Sequence, residues 1–378
     1  MRFAFILTGL GLLLGASFFD SMRGPLLPVV SHELGLSYEQ VSLFLVAGYL
    51  SAMAFGRALI PLTERFSFRT VAALVCLVAP VTAAFAYFVH GLGSLIAFGI
   101  LVAVCSTSVG SLANLFVLHG TDLPYRSRFF GLLHAMFGLG SQAAPLAVGF
   151  AMARGWDWRA LFVCGAIPIS LLGVWSQLGL PAEEKEVHTE ESRPRPFSWF
   201  SLQGILIIAF ALYVAAEVLG SMWMVAYLVE VRHFTVEQAA PYATGFFIVM
   251  TLTRFGCFAV RSDRVELVLI IGSLCIGLVC FILGLSGHEW AFPLAGLVGP
   301  YFPMVLARMS RYMPREAAGL TLRTLLTAQG TLAVCHFGMG WFATTYGLSV
   351  AYCAPAVAYA LALSVFVIYW RGERRLKI

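Results

Sequence analysis

The segment AEEKEVHTEESRPRPF at 182–197 is the one long polar stretch in a chain of 378 residues, and it stands near the midpoint. It mixes both charges, carries two Arg-Pro pairs and has too few apolar residues to pack a core, so it reads as a linker. On each side the chain breaks into apolar runs of about 20 residues separated by a few polar ones, the length that crosses a bilayer as a helix. The composition agrees, with 60% hydrophobic residues, 11% charged and a mean hydropathy of +0.86. Soluble domains carry about a quarter of their residues as charged side chains. Six runs precede the linker and six follow it. The expected fold is an all-α membrane protein of twelve transmembrane helices in two six-helix halves, residues 1–181 and 199–378, joined by a linker at 182–198.

The N-terminal run MRFAFILTGLGLLLGASFF continues through Asp20 and Arg23 without a small-residue cleavage site, so it is expected to be the first helix and not a signal peptide. The second begins at Ser37, whose hydroxyl can cap it with Glu39 and Gln40 close behind. Arg and Lys gather in the even-numbered loops (Arg65, Arg69, Arg126, Arg128, Arg311) and in the tail (Arg374, Arg375). The positive-inside rule then places both termini and the linker in the cytoplasm. The net charge of +5 is spread over these short loops, which excludes a nucleic-acid-binding face. All eight cysteines fall within the apolar runs at spacings that match no metal motif and read as packing residues. There is no Walker loop, nucleophile elbow or dinucleotide fingerprint. Neither an enzyme nor a cofactor or metal is expected.

Sliding the second half over the first by 197 residues places Glu217 on Asp20 and Arg254 on Arg57, and SYEQ at 37–40 meets TVEQ at 235–238 with a one-residue shift. HGTDLPYRSRFFGLLHA and MSRYMPREAAGLTLRTL also correspond, which brings His134 and Arg323 close to equivalence. Asp20 and Glu217 are acids inside apolar runs, where a charge costs roughly 2.5–3.5 kcal/mol on insertion scales. Each is expected about 25 Å into its helix, in the outer half of the membrane. Equal depth suggests one shared cavity. Burial makes a carboxyl hold its proton and a nearby cation or solute reverses that, which is a basis for proton coupling. Asp20, Glu217 and His134 are the proton-coupling candidates.

Each has a plainer account. Asp20 can pair with Arg23 three residues on, Glu217 can bond another helix, and His134 can be a packing histidine. Arg23 and Arg323 can snorkel or reach a solute. Asn114 and Gln142 can bind hydroxyls or serve close helix packing. Trp223, Tyr227 and Tyr301 can stack on a sugar ring, and Trp223 and Tyr227 can equally belong to an interfacial belt.

Parallel six-helix repeats around a linker resemble the major facilitator superfamily, whose solute site lies near mid-membrane between the halves. That family's loop motif G-x-x-x-D-R-x-G-R-R is echoed by PLTERFSFR, which keeps Glu64, Arg65 and Arg69, with Arg57 just before it and Arg254 as its counterpart in the second half. Pro61 and Ser67 replace the glycines. LLHAMFGLGSQAAPLAVG at 132–149, AEVLGSMWMVAYL at 216–228 and GLVGPYFPMVLA at 296–307 resemble the fifth, seventh and tenth helices of the fucose, galactose and glucose proton symporters. The resemblance implies that Asp20 is linked to protonation, that Glu217 and Trp223 belong to the central site, and that Asn114 matches a fourth-helix asparagine. The acid often found four residues before that asparagine is Gly110 here. The expected function is secondary active transport of a small polar solute, a sugar foremost, across the cytoplasmic (inner) membrane by alternating access with proton symport. Its partners would be the solute, protons and lipid, and the chain would act as a monomer. The rivals are an exporter of amphipathic compounds and, in another class, a transport-inactive membrane sensor or assembly partner.

Overall fold

The computed structural model describes residues 2–55, 62, 65–122, 125–179, 198–257, 262–312 and 317–376. Arg57, Glu64 and nearly all of the expected linker lie outside the described residues. No strand occurs among those described. Two compact units form, one of residues 1–189 with 224–244 and one of residues 190–223 with 245–378.

The first half supplies α1 (Phe3–Leu34), α2 (Tyr38–Phe55), α3 (Phe68–Ala86), α4 (Leu92–Gly120), α5 (Arg126–Ala153) and α6 (Trp158–Leu178). The second supplies α7 (Leu202–Arg232), α8 (Val236–Gly256), α9 (Asp263–Leu285), a broken α10 (Ala291–Leu294, a 3₁₀ turn Ala295–Val298, then Tyr301–Tyr312), α11 (Ala317–Tyr346) and α12 (Leu348–Ala351, then Ala354–Leu376). Among the described residues, twelve helices in six-and-six order match the expected count. Eight of them are long and apolar enough to span a bilayer on length and composition alone among the described residues. The other four are α2, whose described part ends at Phe55; α8 and α11, which are more polar; and α10, which is broken.

The expected cap on α2 is present in reciprocal form: Gln40 N donates to Ser37 Oγ at 3.3 Å and Ser37 N donates to Gln40 Oε1 at 3.0 Å. The same box opens α8, where Gln238 N donates to Thr235 Oγ1 at 3.2 Å and Thr235 N to Gln238 Oε1 at 3.0 Å. Two orphan donors are satisfied at each start. The internal repeat therefore extends to hydrogen-bond geometry.

In the first unit α1 packs against α4, α5 and α6. Gly140 makes one of these approaches possible, because a Cβ there would run into Ser17 and the Leu14 carbonyl of α1. A turn at Met22 interrupts α1 just before Pro25 and Pro28. The missing proline N–H groups leave the carbonyls of Ser21 and Gly24 without their helical donors. This irregular stretch holds Asp20 and Arg23.

Buried charges staple each unit. Arg159, at the start of α6, reaches Glu33 at 2.7 Å and Asp157 at 3.1 Å and donates to the carbonyls of Ala86 and Val89, which ties the ends of α1, α3 and α6. In the second unit Arg308 of α10 is bonded to Glu266 of α9 at 2.8 Å and to Glu373 of α12. All three are buried.

Candidate functional site

Glu217 is the central residue of α7, and Asp20 lies just past the middle of α1. Both sit near the midpoints of their helices, because α7 begins and ends about three residues later, and α1 ends about four residues later, than hydropathy suggested. The Glu217 carboxylate is 14% exposed and is the focus of the second unit. Tyr213, one turn earlier on α7, donates its hydroxyl to Glu217 Oε2. Arg254 of α8 donates from Nη2 to both carboxylate oxygens at 3.0 Å. Charge-assisted bonds of this kind are roughly twice as strong as neutral ones.

The sequence of α10 explains how Arg254 is held. In an unbroken helix residue 300 would donate to the carbonyl of 296, and residue 303 to that of 299. Both donors are prolines, in GLVGPYFP at 296–303. The Gly296 carbonyl accepts instead from Gly299 N at 3.0 Å within the 3₁₀ turn, and the Gly299 carbonyl accepts from Arg254 Nε of α8 at 3.4 Å. The guanidinium also lies over the Phe302 ring, 5.3 Å from its centroid. Irregular backbone at membrane depth is tolerated where the freed groups find such partners.

Aromatic side chains complete the cluster. Tyr301 stacks on Tyr213 with centroids 4.3 Å apart, and Tyr359 of α12 stands within electrostatic reach of Glu217. Tyr301 and Tyr359 are fully buried, and among the described residues neither hydroxyl has a hydrogen-bond partner.

Asp20 is arranged differently. Arg23 bonds it through Nη2 and also donates Nε to its backbone carbonyl at 3.2 Å. Arg23 is 3% exposed and lies 5.4 Å over the Tyr49 ring. It is therefore a buried partner of Asp20 and does not snorkel. Gly48 leaves room for this guanidinium.

The other candidates disperse. Trp223 is buried and donates Nε1 to His336 Nδ1 at 3.0 Å, with the rings 25° from parallel. Tyr227 is 2% exposed and lies 5.7 Å below Arg232. Neither forms an interfacial belt. Asn114 donates to its own helix at the Gly110 carbonyl, 2.8 Å away, and the Gln142 carbonyl accepts from Thr244 Oγ1 at 3.1 Å. His134 and Arg65 are exposed, and Arg323 and Arg69 are half-buried.

Sequence reading missed Tyr213, Tyr359 and His336, and grouped Arg254 with the loop motif. Tyr213 was signalled by its four-residue spacing from Glu217, which puts both on one helix face. His336 was signalled as an ionisable residue in mid-helix. Tyr359 carries no local signal.

A sequence profile of the Major Facilitator Superfamily matches residues 9–335. Among solved structures, the bacterial homolog of the human lysosomal transporter Spinster superposes with a TM-score of 0.77 at 16% identity, over 97% of this chain and 96% of that one. The nucleoside transporter NupG gives 0.76 at 15% over 97% and 98%, and a D-xylose–proton symporter 0.72 at 14% over 97% of each. At these identities the likeness speaks for the fold alone. Class C tetracycline resistance protein of Escherichia coli is 29% identical over 140 residues, which is 34% of each chain. This chain thus aligns with about a third of that curated relative's length.

Proposed function

The chain belongs to the Major Facilitator Superfamily, a multi-pass membrane transporter and not an enzyme, and from that premise we propose that it moves a small polar solute, a sugar foremost, coupled to protons. The observation that carries this reading is the Glu217–Arg254 pair: a carboxylate at the midpoint of α7, bonded by a guanidinium and a tyrosine, and still 14% exposed. A neutral pair at membrane depth is tolerable, whereas either ion alone is costly. A proton on Glu217 changes what Arg254 requires, so proton and solute occupancy influence one another. Asp20 with Arg23 offers a second protonatable pair in the first unit. The chain would work by alternating access in the cytoplasmic membrane, as a monomer with both termini inside.

A test is uptake of labelled hexoses and hexuronates into proteoliposomes with and without an imposed pH gradient. Glu217→Gln and Asp20→Asn should each lose gradient-driven accumulation, and Asp20→Asn should keep counterflow. Wild-type uptake indifferent to the gradient, or variants that accumulate solute as the wild type does, would contradict proton coupling at these acids. The partial match to the tetracycline resistance protein favours a second reading, export of amphipathic compounds. Dye extrusion from intact cells, without hexose or hexuronate uptake, would select it.

A further inference from the structure

We infer that the Glu217–Arg254 pair is a proton-gated carboxylate site, so that the solute taken with the proton is a small organic anion, such as a sugar acid, in preference to a neutral sugar. This rests on the transport reading above and names the solute class of the same site.

A guanidinium below the protein surface needs one counter-anion. Removing the partner of a buried ion pair is strongly destabilising, while replacing it with an equivalent charge is not. Arg254 has one carboxylate partner among the described residues, Glu217. The two side chains are 27% and 14% exposed, so the pair is not fully sealed. The guanidinium is fixed independently of Glu217, by the Gly299 carbonyl and the Phe302 ring. It stays in place when Glu217 turns away. Its planar fork matches a carboxylate geometrically.

Two states then satisfy Arg254. In one, Glu217 is ionised and the site is empty. In the other, Glu217 carries a proton and a solute carboxylate takes its place. Protonated and empty leaves Arg254 unpaired, and ionised with anion bound puts two carboxylates on one cation. Both are disfavoured, so the proton, drawn from the medium, and the anion enter and leave together. Glu217 is bonded by Tyr213 on its own helix and by Arg254 on α8; Tyr359 on α12 is within electrostatic range, and Tyr301 on α10 stacks against Tyr213. The three tyrosines bring no charge at neutral pH, which leaves Arg254 as the ion that the proton on Glu217 releases.

The experiment is thermal stabilisation and isothermal titration of the purified full chain with D-galacturonate and D-gluconate, and with D-galactose as the neutral control, between pH 5 and 8. For the wild type, carboxylate affinity should rise as pH falls, by up to about tenfold per unit while Glu217 is ionised in the empty protein. Glu217→Gln imitates the protonated state and should bind the carboxylates with a flattened pH profile. The double variant Glu217→Gln/Arg254→Met carries no buried charge at this position, so it should fold and lose carboxylate affinity by about 10- to 100-fold. Equal stabilisation by galactose and galacturonate, a Glu217→Gln protein that binds no carboxylate, or a double variant that binds like the wild type would overturn the proposal. So would a wild type that no carboxylate stabilises at pH 5. Gradient-driven hexose uptake by that same preparation would leave the transport reading standing while this one fell.

Discussion

Glu217 and Arg254 are each held by contacts beyond their mutual bond. Tyr213 fixes the acid, while the carbonyl of Gly299 and the face of Phe302 fix the base. Losing one ion therefore leaves the other in position and unpaired. Arg254→Met and Glu217→Gln should each lower the thermal midpoint in detergent. The double variant should recover part of the loss, with a coupling of about 1–3 kcal/mol from a double-mutant cycle. Additive effects would mean that the two side chains do not interact. Trp223 and His336 form another buried polar contact in the second unit, and the indole donates to Nδ1. Trp223→Phe keeps the ring but removes the donor and should cost about 1–2 kcal/mol by the same measurement.

At the scale of the helix, proline chemistry in α10 places the site. The missing N–H of Pro303 leaves the Gly299 carbonyl open to an outside donor, and Arg254 of α8 turns toward it. Pro303→Ala restores a donor to the Gly299 carbonyl in competition with Arg254. The expected outcome is a helix at least as stable and a slower transporter, read as an unchanged or raised thermal midpoint with reduced uptake. Uptake at the wild-type rate would remove α10 from the positioning of Arg254. The paired capping boxes of α2 and α8 are local devices. Ser37→Ala and Thr235→Ala should each cost about 1 kcal/mol, an ordinary value for a lost N-cap.

At the scale of the molecule, each unit carries its own charge staple away from the candidate site. Arg308 in the second unit serves two acids at once, so its loss strands both. Arg308→Met should destabilise by about 3–5 kcal/mol, enough to lower yield from membranes. A Glu266→Gln/Arg308→Met/Glu373→Gln triple variant, free of buried charge there, should recover much of it. Placement of both termini in the cytoplasm is checked by tags that remain inaccessible to antibody in intact cells.

Twelve helices, their six-and-six order and the cap residues were legible from composition and spacing. Run length and local capping chemistry act within a few residues of chain, and the 197-residue offset that aligns Asp20 with Glu217 is a property of the string. The acids themselves were visible because a carboxyl in an apolar run is costly wherever it sits. Their partners were not. Arg254 lies 37 residues from Glu217, and Tyr359 lies on another helix with nothing nearby to mark it. His336 meets Trp223 across 113 residues. Asp20 found its base on its own helix, as three-residue spacing allowed, whereas its repeat counterpart took one from the next helix. Which base neutralises which acid depends on where a broken α10 lets α8 approach. Hydropathy decides that a helix forms and crosses; side-chain pairing depends on helix rotation and contact, which only the packed structure decides.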